Sequence, residues 1–385
     1  MTHSTALAPA GAGVSARRRL LRLVAIAACL PYLSLKVAWI AGSHAGIPDG
    51  SPLLAHRVTM IVANGLTVLM DAAVVVLALL LTRPWGRRVP AWLLAVPMWI
   101  ATGLLVPIMA GFPVQLVLDA VHGGGGRGGG DKPFLAGWVF DVVYGGFIVQ
   151  GLALGTLFAA YARDRWGHLW RGRVREVPRR GTSAGRWGPA VTVTVLALFP
   201  AGTRLLWACG GTAGLGTGHP GGRLMDALMA VSLAAAVLGV WQLAPQQATF
   251  APSRRPARPL AAPAESPRTP GPSGTAPGRH ADSTHRTPLP DGQTSPAGAS
   301  ALPRTGALPV AVPLALAWTG SGAAACWGAW MALGALATTQ DVADRPTPML
   351  TLTYAGQVIT GLLVAALAAR FLADRSVKDP RCARR

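Results

Sequence analysis

This sequence keeps Lys36, Asp71, Asp141, Arg204 and Asp226 in or near its long apolar runs. A charge at the centre of a membrane helix costs at least ~2.5 kcal/mol on insertion scales, so one that is kept needs a partner or a task. The types fall into two matched sets. A cation on one apolar run (Lys36, Arg204) is followed by an aspartate on the next (Asp71, Asp226), which makes Lys36–Asp71 and Arg204–Asp226 candidate buried ion pairs. Lys36 and Arg204 lie about five residues from the ends of their runs, roughly 8 Å deep at helical rise, where snorkelling reaches the surface. Asp71 is deeper and the most expensive of the set.

Helical spacing adds polar stripes. Asn64, Thr67 and Asp71 share one face at i, i+3, i+7; Cys29, Tyr32 and Lys36 share another; Thr353, Gln357 and Thr360 share a third. With Asp141, these stripes are expected to turn toward one another, or toward a wet path for a solute or proton. The plain alternative is interhelical hydrogen bonding, typically worth under ~1 kcal/mol per contact.

Other chemistry finds little support. None of the eight histidines lies in an apolar run, so haem or copper held between helices is not expected. The four cysteines (Cys29, Cys209, Cys326, Cys382) are scattered without metal or disulfide spacing. No metal and no cofactor is therefore predicted. The glycine-rich run 122–130 lacks the Lys-Ser/Thr ending of a phosphate loop, and neither HExxH nor GxSxG occurs. Leu302–Gly306 has the letters of a sorting signal, but two further apolar runs follow it. No catalytic residue is assigned, and an intramembrane enzyme using Asp71 stands as the third reading.

The elements that must position these residues follow from hydropathy. Over 385 residues the chain is 51% hydrophobic and only 13% charged, with a mean hydropathy of +0.40. Soluble chains carry about 25% charged residues, so a single water-soluble domain is excluded. Eight runs are long enough to cross ~30 Å of hydrocarbon: 22–41, 58–81, 91–110, 134–160, 190–209, 224–244, 307–334 and 349–372. Pro31, Pro97, Pro200 and Pro313 are expected to break the odd-numbered ones.

The net charge of +20 would suggest nucleic acid in a soluble protein. Its location argues otherwise. With the N-terminus inside, the segments 1–22, 82–89, 161–189, 245–306 and 373–385 hold 27 basic and 7 acidic residues, against 5 of each in the other loops. That is the positive-inside pattern of a bacterial cell membrane protein with both termini cytoplasmic, and nucleic acid is not an expected partner. Tryptophans 39, 138 and 207 on one side, and 85, 92, 166, 170 and 241 on the other, read as interfacial anchors.

The first four runs parallel the last four. Lys36-Val-Ala-Trp39 … Gly42 … Ala45-Gly46 matches Arg204-Leu-Leu-Trp207 … Gly210 … Ala213-Gly214. Leu69-Met70-Asp71-Ala72 matches Leu224–Ala227, and Ala91 … Pro97 matches Ala307 … Pro313. Tyr144, Gly146, Gly151, Asp164 and Arg165 match Tyr354, Gly356, Gly361, Asp374 and Arg375. An even number of spans per half gives two parallel four-helix repeats. The expected layout is a basic tail (1–21), a first repeat (22–165), a basic loop (166–189), two helices of the second repeat (190–244), a linker (245–306), its last two helices (307–372) and a basic tail (373–385). The small-residue faces at Gly151/Gly155/Ala159 and Gly361/Ala365/Ala369 predict close helix packing. The linker, with thirteen prolines and seven arginines, is expected to be disordered and to serve as a spacer or to recruit a cytoplasmic protein.

In its alanine-, glycine-, proline- and arginine-rich composition and its layout, the chain resembles the uncharacterised polytopic membrane proteins of high-GC actinobacteria. That resemblance implies a membrane location and no activity. The sequence points to an all-α, eight-helix integral membrane protein whose first functional reading is a small-solute or ion permease. The second is a non-catalytic scaffold or signalling partner acting through 245–306.

Overall fold

A computed structural model describes residues 11–49, 51, 54, 57–121, 135–170, 184–215, 222–247, 308–337 and 346–377. They belong to one compact unit. The expected linker 245–306 lies outside them apart from its first three residues, as do the glycine-rich run, the Leu302–Gly306 motif, residues 1–10 and 378–385 of the two tails and 171–183 of the 166–189 loop. No strand occurs among the described residues. The helices are α1 (Gly11–Ala27), α2 (Leu30–Ile40), α3 (Arg57–Thr82), α4 (Ala91–Val121), α5 (Gly137–Trp166), α6 (Ala184–Ala208), α7 (Arg223–Gln247), α8 (Ala311–Ala337) and α9 (Pro348–Val377).

Seven segments are long and apolar enough to cross a membrane: Ala16–Ile40, Arg57–Thr82, Ala91–Val121, Gly137–Trp166, Trp187–Ala208, Arg223–Ala244 and Pro348–Ser376. By length and composition the chain is an all-helical, multi-pass membrane protein. The remaining expected span, α8, has 27 residues but is diluted by glycine, serine and tryptophan, and it is not among the seven.

Proline acts more selectively than expected. Only the first span is interrupted, between α1 and α2. There Pro31 falls in the first turn of α2, where its missing N–H is no loss. Pro97 and Pro200 sit inside the uninterrupted helices α4 and α6, and Pro313 lies near the start of α8. A membrane helix tolerates such prolines when neighbouring groups satisfy the freed carbonyls. At Pro200 the proline's own carbonyl also accepts from Thr203 Oγ1 at 3.1 Å.

Helices α6 to α9 pack as a four-helix bundle around Val193, Ala236, Val240, Val364 and Phe371. Helices α1 to α5 enclose a second core of Tyr32, Leu77, Leu94, Met98, Leu154 and Leu157. The two groups meet chiefly where α4 crosses α8. At that crossing a Cβ on Gly322 would stand 3.1 Å from Gly103 Cα, so the backbones touch. Trp99 Nε1 donates to Ser321 Oγ at 3.0 Å, and Trp327 Nε1 donates to Leu104 O at 3.2 Å.

The turns after α2 and α6 are alike in detail. Gly42 and Gly46 have φ of 97° and 73°; Gly210 and Gly214 have 94° and 72°. Trp39 Nε1 donates to Ala45 O at 2.7 Å, and Trp207 Nε1 to Ala213 O at 3.0 Å. Both indoles are therefore buried locks on a left-handed turn, not the interfacial anchors expected of them. Trp85, Trp92 and Trp138 remain half-exposed or more, as anchors should.

Candidate functional site

Each group of helices holds one buried charge cluster. In the first, Lys36 on α2 reaches Asp71 on α3, with Nζ donating to Oδ2 at 3.0 Å. Lys36 retains 7% of its surface and Asp71 5%. The Tyr32 hydroxyl, one turn before Lys36, lies between Asp71 Oδ1 at 3.2 Å and the Gln150 amide on α5. The placed Gln150 atom is Oε1, and the one hydroxyl proton serves only one of the two acceptors; with the amide turned so that its NH₂ donates, a chain runs from Gln150 through Tyr32 to Asp71. The Lys36 ammonium also sits 4.8 Å from the Tyr32 ring centre and 5.7 Å from that of Phe147, a desolvated cation–π arrangement.

In the second cluster, Arg204 on α6 donates from Nη1 to Asp226 Oδ1 on α7 at 2.6 Å and from Nη2 to Gln357 Oε1 on α9 at 3.0 Å. Its guanidinium lies over the rings of Trp207 and Tyr354, at 5.6 and 5.4 Å. Beside it Thr203 and Thr353 share a hydrogen bond at 3.0 Å. Arg204, Asp226, Thr353, Gln357 and Thr360 are all buried. Arginine suits this position because its planar fork holds the aspartate and the amide at fixed angles, a geometry that lysine's rotatable ammonium does not pre-set.

The structure thus brings Lys36 to Asp71 and Arg204 to Asp226, and adds Gln357 to the second pair. The two aspartates differ in depth. Asp71 is mid-helix in α3, whereas Asp226 is in the first turn of α7, where the helix N-terminus favours negative charge. The Leu-Met-Asp-Ala match therefore aligns letters at unequal positions along their helices. Thr360 is buried one turn from Gln357 on α9 and makes no hydrogen bond among the described residues.

Asn64 and Thr67 stand apart. Asn64 Nδ2 donates to Met60 O at 2.9 Å and Thr67 Oγ1 to Asn64 O at 2.9 Å, so both are half-buried and spent on their own helix. Asp141 is exposed on α5. Of the small-residue faces, Gly151 packs on Met109 of α4 and Gly361 on Ser321 and Ala325 of α8, but Gly155 meets nothing within 4 Å.

Sequence reasoning passed over Gln150. The signal was available: Val143, Phe147, Gln150, Leu154, Leu157 and Tyr161 form one inward stripe at alternating four- and three-residue steps, and Gln150 is its only amide.

Among the described residues no group of histidine, cysteine and acidic side chains is arranged to hold a metal ion. No protein family, curated protein or solved structure matches the chain.

Proposed function

We propose that the protein is a permease for a small polar solute in the bacterial cell membrane, with eight spans forming two parallel four-helix repeats and both termini cytoplasmic. One observation carries the solute-handling reading. Each half keeps a charged, multiply hydrogen-bonded cluster buried between helices, at a cost that packing alone does not require.

Several features support the repeat. The paired glycines after α2 and α6 share their φ values, and the paired tryptophans share their bonds. Gly46 crowds Val139 as Gly214 crowds Met349, and Gly146 meets Tyr32 as Gly356 meets Pro200. Gly151 faces Met109 as Gly361 faces Ala325, at the spacing the matched sequences require. The crossing contacts advance in the same sense along α4 and α8, as halves related by an axis along the membrane normal would have them. The low hydropathy of α8 accords with its place among α4, α7 and α9, because a helix facing other helices needs small residues more than greasy ones.

The pairing of each cation with an aspartate favours a second reading, in which both bridges are structural and 245–306 recruits a cytoplasmic protein. Proteoliposome flux over a panel of polar solutes separates the two. The permease reading expects one or more solutes to cross faster than in protein-free vesicles. It also expects Asp71→Asn to slow that flux about tenfold or more while the protein stays folded, a loss of ~1.4 kcal/mol or more at the barrier. Flux unchanged in Asp71→Asn refutes it. A chain lacking 250–300 that loses partner capture, with Asp71→Asn tolerated, establishes the scaffold.

A further inference from the structure

We infer that the Arg204 cluster is an internal binding site for a small uncharged solute carrying a carbonyl oxygen, held by Arg204 Nε, Gln357 Nε2 and Thr360 Oγ1. It gives the proposed permease a substrate class and in that respect rests on that reading; the binding step does not.

Those three atoms are buried and have no hydrogen-bond partner among the described residues. Arg204 keeps 3% of its surface, and Gln357 and Thr360 keep none. In a membrane interior each unmet donor costs several kcal/mol, and three in one cluster is a concentrated deficit. Rotating the Gln357 amide does not relieve it. Gln357 Oε1 already accepts from Arg204 Nη2 at 3.0 Å, and the exchange would set an NH₂ against a guanidinium. Thr360 is unusual in the same direction. Thr194, Thr319 and Thr353 each donate to the carbonyl four residues back, whereas the Thr360 hydroxyl is not spent on its own helix.

The first cluster shows that such a deficit is not forced by the scaffold. At the position that the repeat matches to Thr360, Gln150 is hydrogen-bonded to Tyr32, and no fully enclosed side-chain atom of Lys36, Asp71, Tyr32 or Gln150 stands without a partner.

Charge and polarity then select the occupant. Arg204 and Asp226 neutralise each other, so an added ion would stand uncompensated between membrane helices. The free groups are N–H and O–H donors, which call for an oxygen acceptor. A carbonyl oxygen has two lone pairs to offer and brings no net charge.

Saturation-transfer NMR with acetamide, on the purified full chain in detergent, tests the site; acetate serves as the charged control. Acetamide is expected to bind the wild type, and Thr360→Val and Gln357→Leu are each expected to weaken it about fivefold, the value of one neutral hydrogen bond. Thr360→Ser, which keeps the hydroxyl, should bind as the wild type does. Should Gln357→Leu fail to fold, the Val/Ser comparison at 360 decides. No transfer to acetamide, equal transfer in all variants, or acetate binding as well as acetamide overturns the inference. Acetamide bound while no solute of the panel crosses in proteoliposomes removes the permease and leaves the site. Flux of other solutes without acetamide binding does the reverse.

Discussion

Removing one member of the Lys36–Asp71 pair should cost far more than removing both. The two side chains retain 9% and 7% of their surface and meet at 3.0 Å. Lys36→Met leaves the Asp71 carboxylate with Tyr32 as its remaining neighbour in the cluster, and an uncompensated buried charge of this kind costs about 3–5 kcal/mol. Asp71→Asn leaves an ammonium instead. That ammonium keeps the faces of Tyr32 and Phe147, worth up to ~2 kcal/mol when desolvated, so the penalty should fall to about 2–3 kcal/mol. The double variant strands no charge and should lie within about 1–2 kcal/mol of the wild type. The coupling energy is then at least ~2 kcal/mol, above the ~0.6 average and ~1.7 maximum measured for interhelical hydrogen bonds in membranes. Unfolding by SDS titration in mixed micelles, followed by circular dichroism, measures all four proteins. Effects that add within ~0.5 kcal/mol would refute the reasoning and show that Lys36 escapes to the interface instead of pairing.

Two further outcomes follow from the same geometry. Arg204→Met should destabilise less than Lys36→Met in that titration, because Asp226 lies in the first turn of α7, where the helix terminus returns about 0.3–1 kcal/mol, and up to ~2 kcal/mol where partly buried; equal losses would discount the helix end. Gly46→Ala and Gly214→Ala should each cost ~1–2 kcal/mol or more from left-handed strain, with crowding against Val139 and Met349 added, whereas Gly155→Ala, with nothing within 4 Å, should gain about 1 kcal/mol of helix propensity. A thermal-shift comparison in detergent reads all three, and a neutral Gly214→Ala would count against the turn geometry.

The parts of this fold visible in the sequence are those governed by one variable at a time. Hydropathy marks where helices run, and the pairing of a cation on one run with an aspartate on the next marks Lys36–Asp71 and Arg204–Asp226. Harder to see are choices settled by competition. Asn64 has the right face to join Asp71, but the carbonyl of Met60, one turn back on its own helix, takes its amide first. Trp39 and Trp207 have the composition of interface anchors, yet a carbonyl six residues on captures each indole N–H once the chain turns through two left-handed glycines. Gln150 was hidden by its apolar company. The depth of Asp226 was hidden because four identical letters carry no information about where a helix begins.

The crossing of α4 and α8 has a mechanical consequence. Where two helices meet through interleaved side chains, rotating one against the other means lifting each side chain out of its notch and repacking it. At Gly103 and Gly322 there is no side chain to lift, so at that point the crossing resists rotation less than an interleaved contact would. Trp99 and Trp327, each hydrogen-bonded to the opposite helix beside that point, hold the crossing in register.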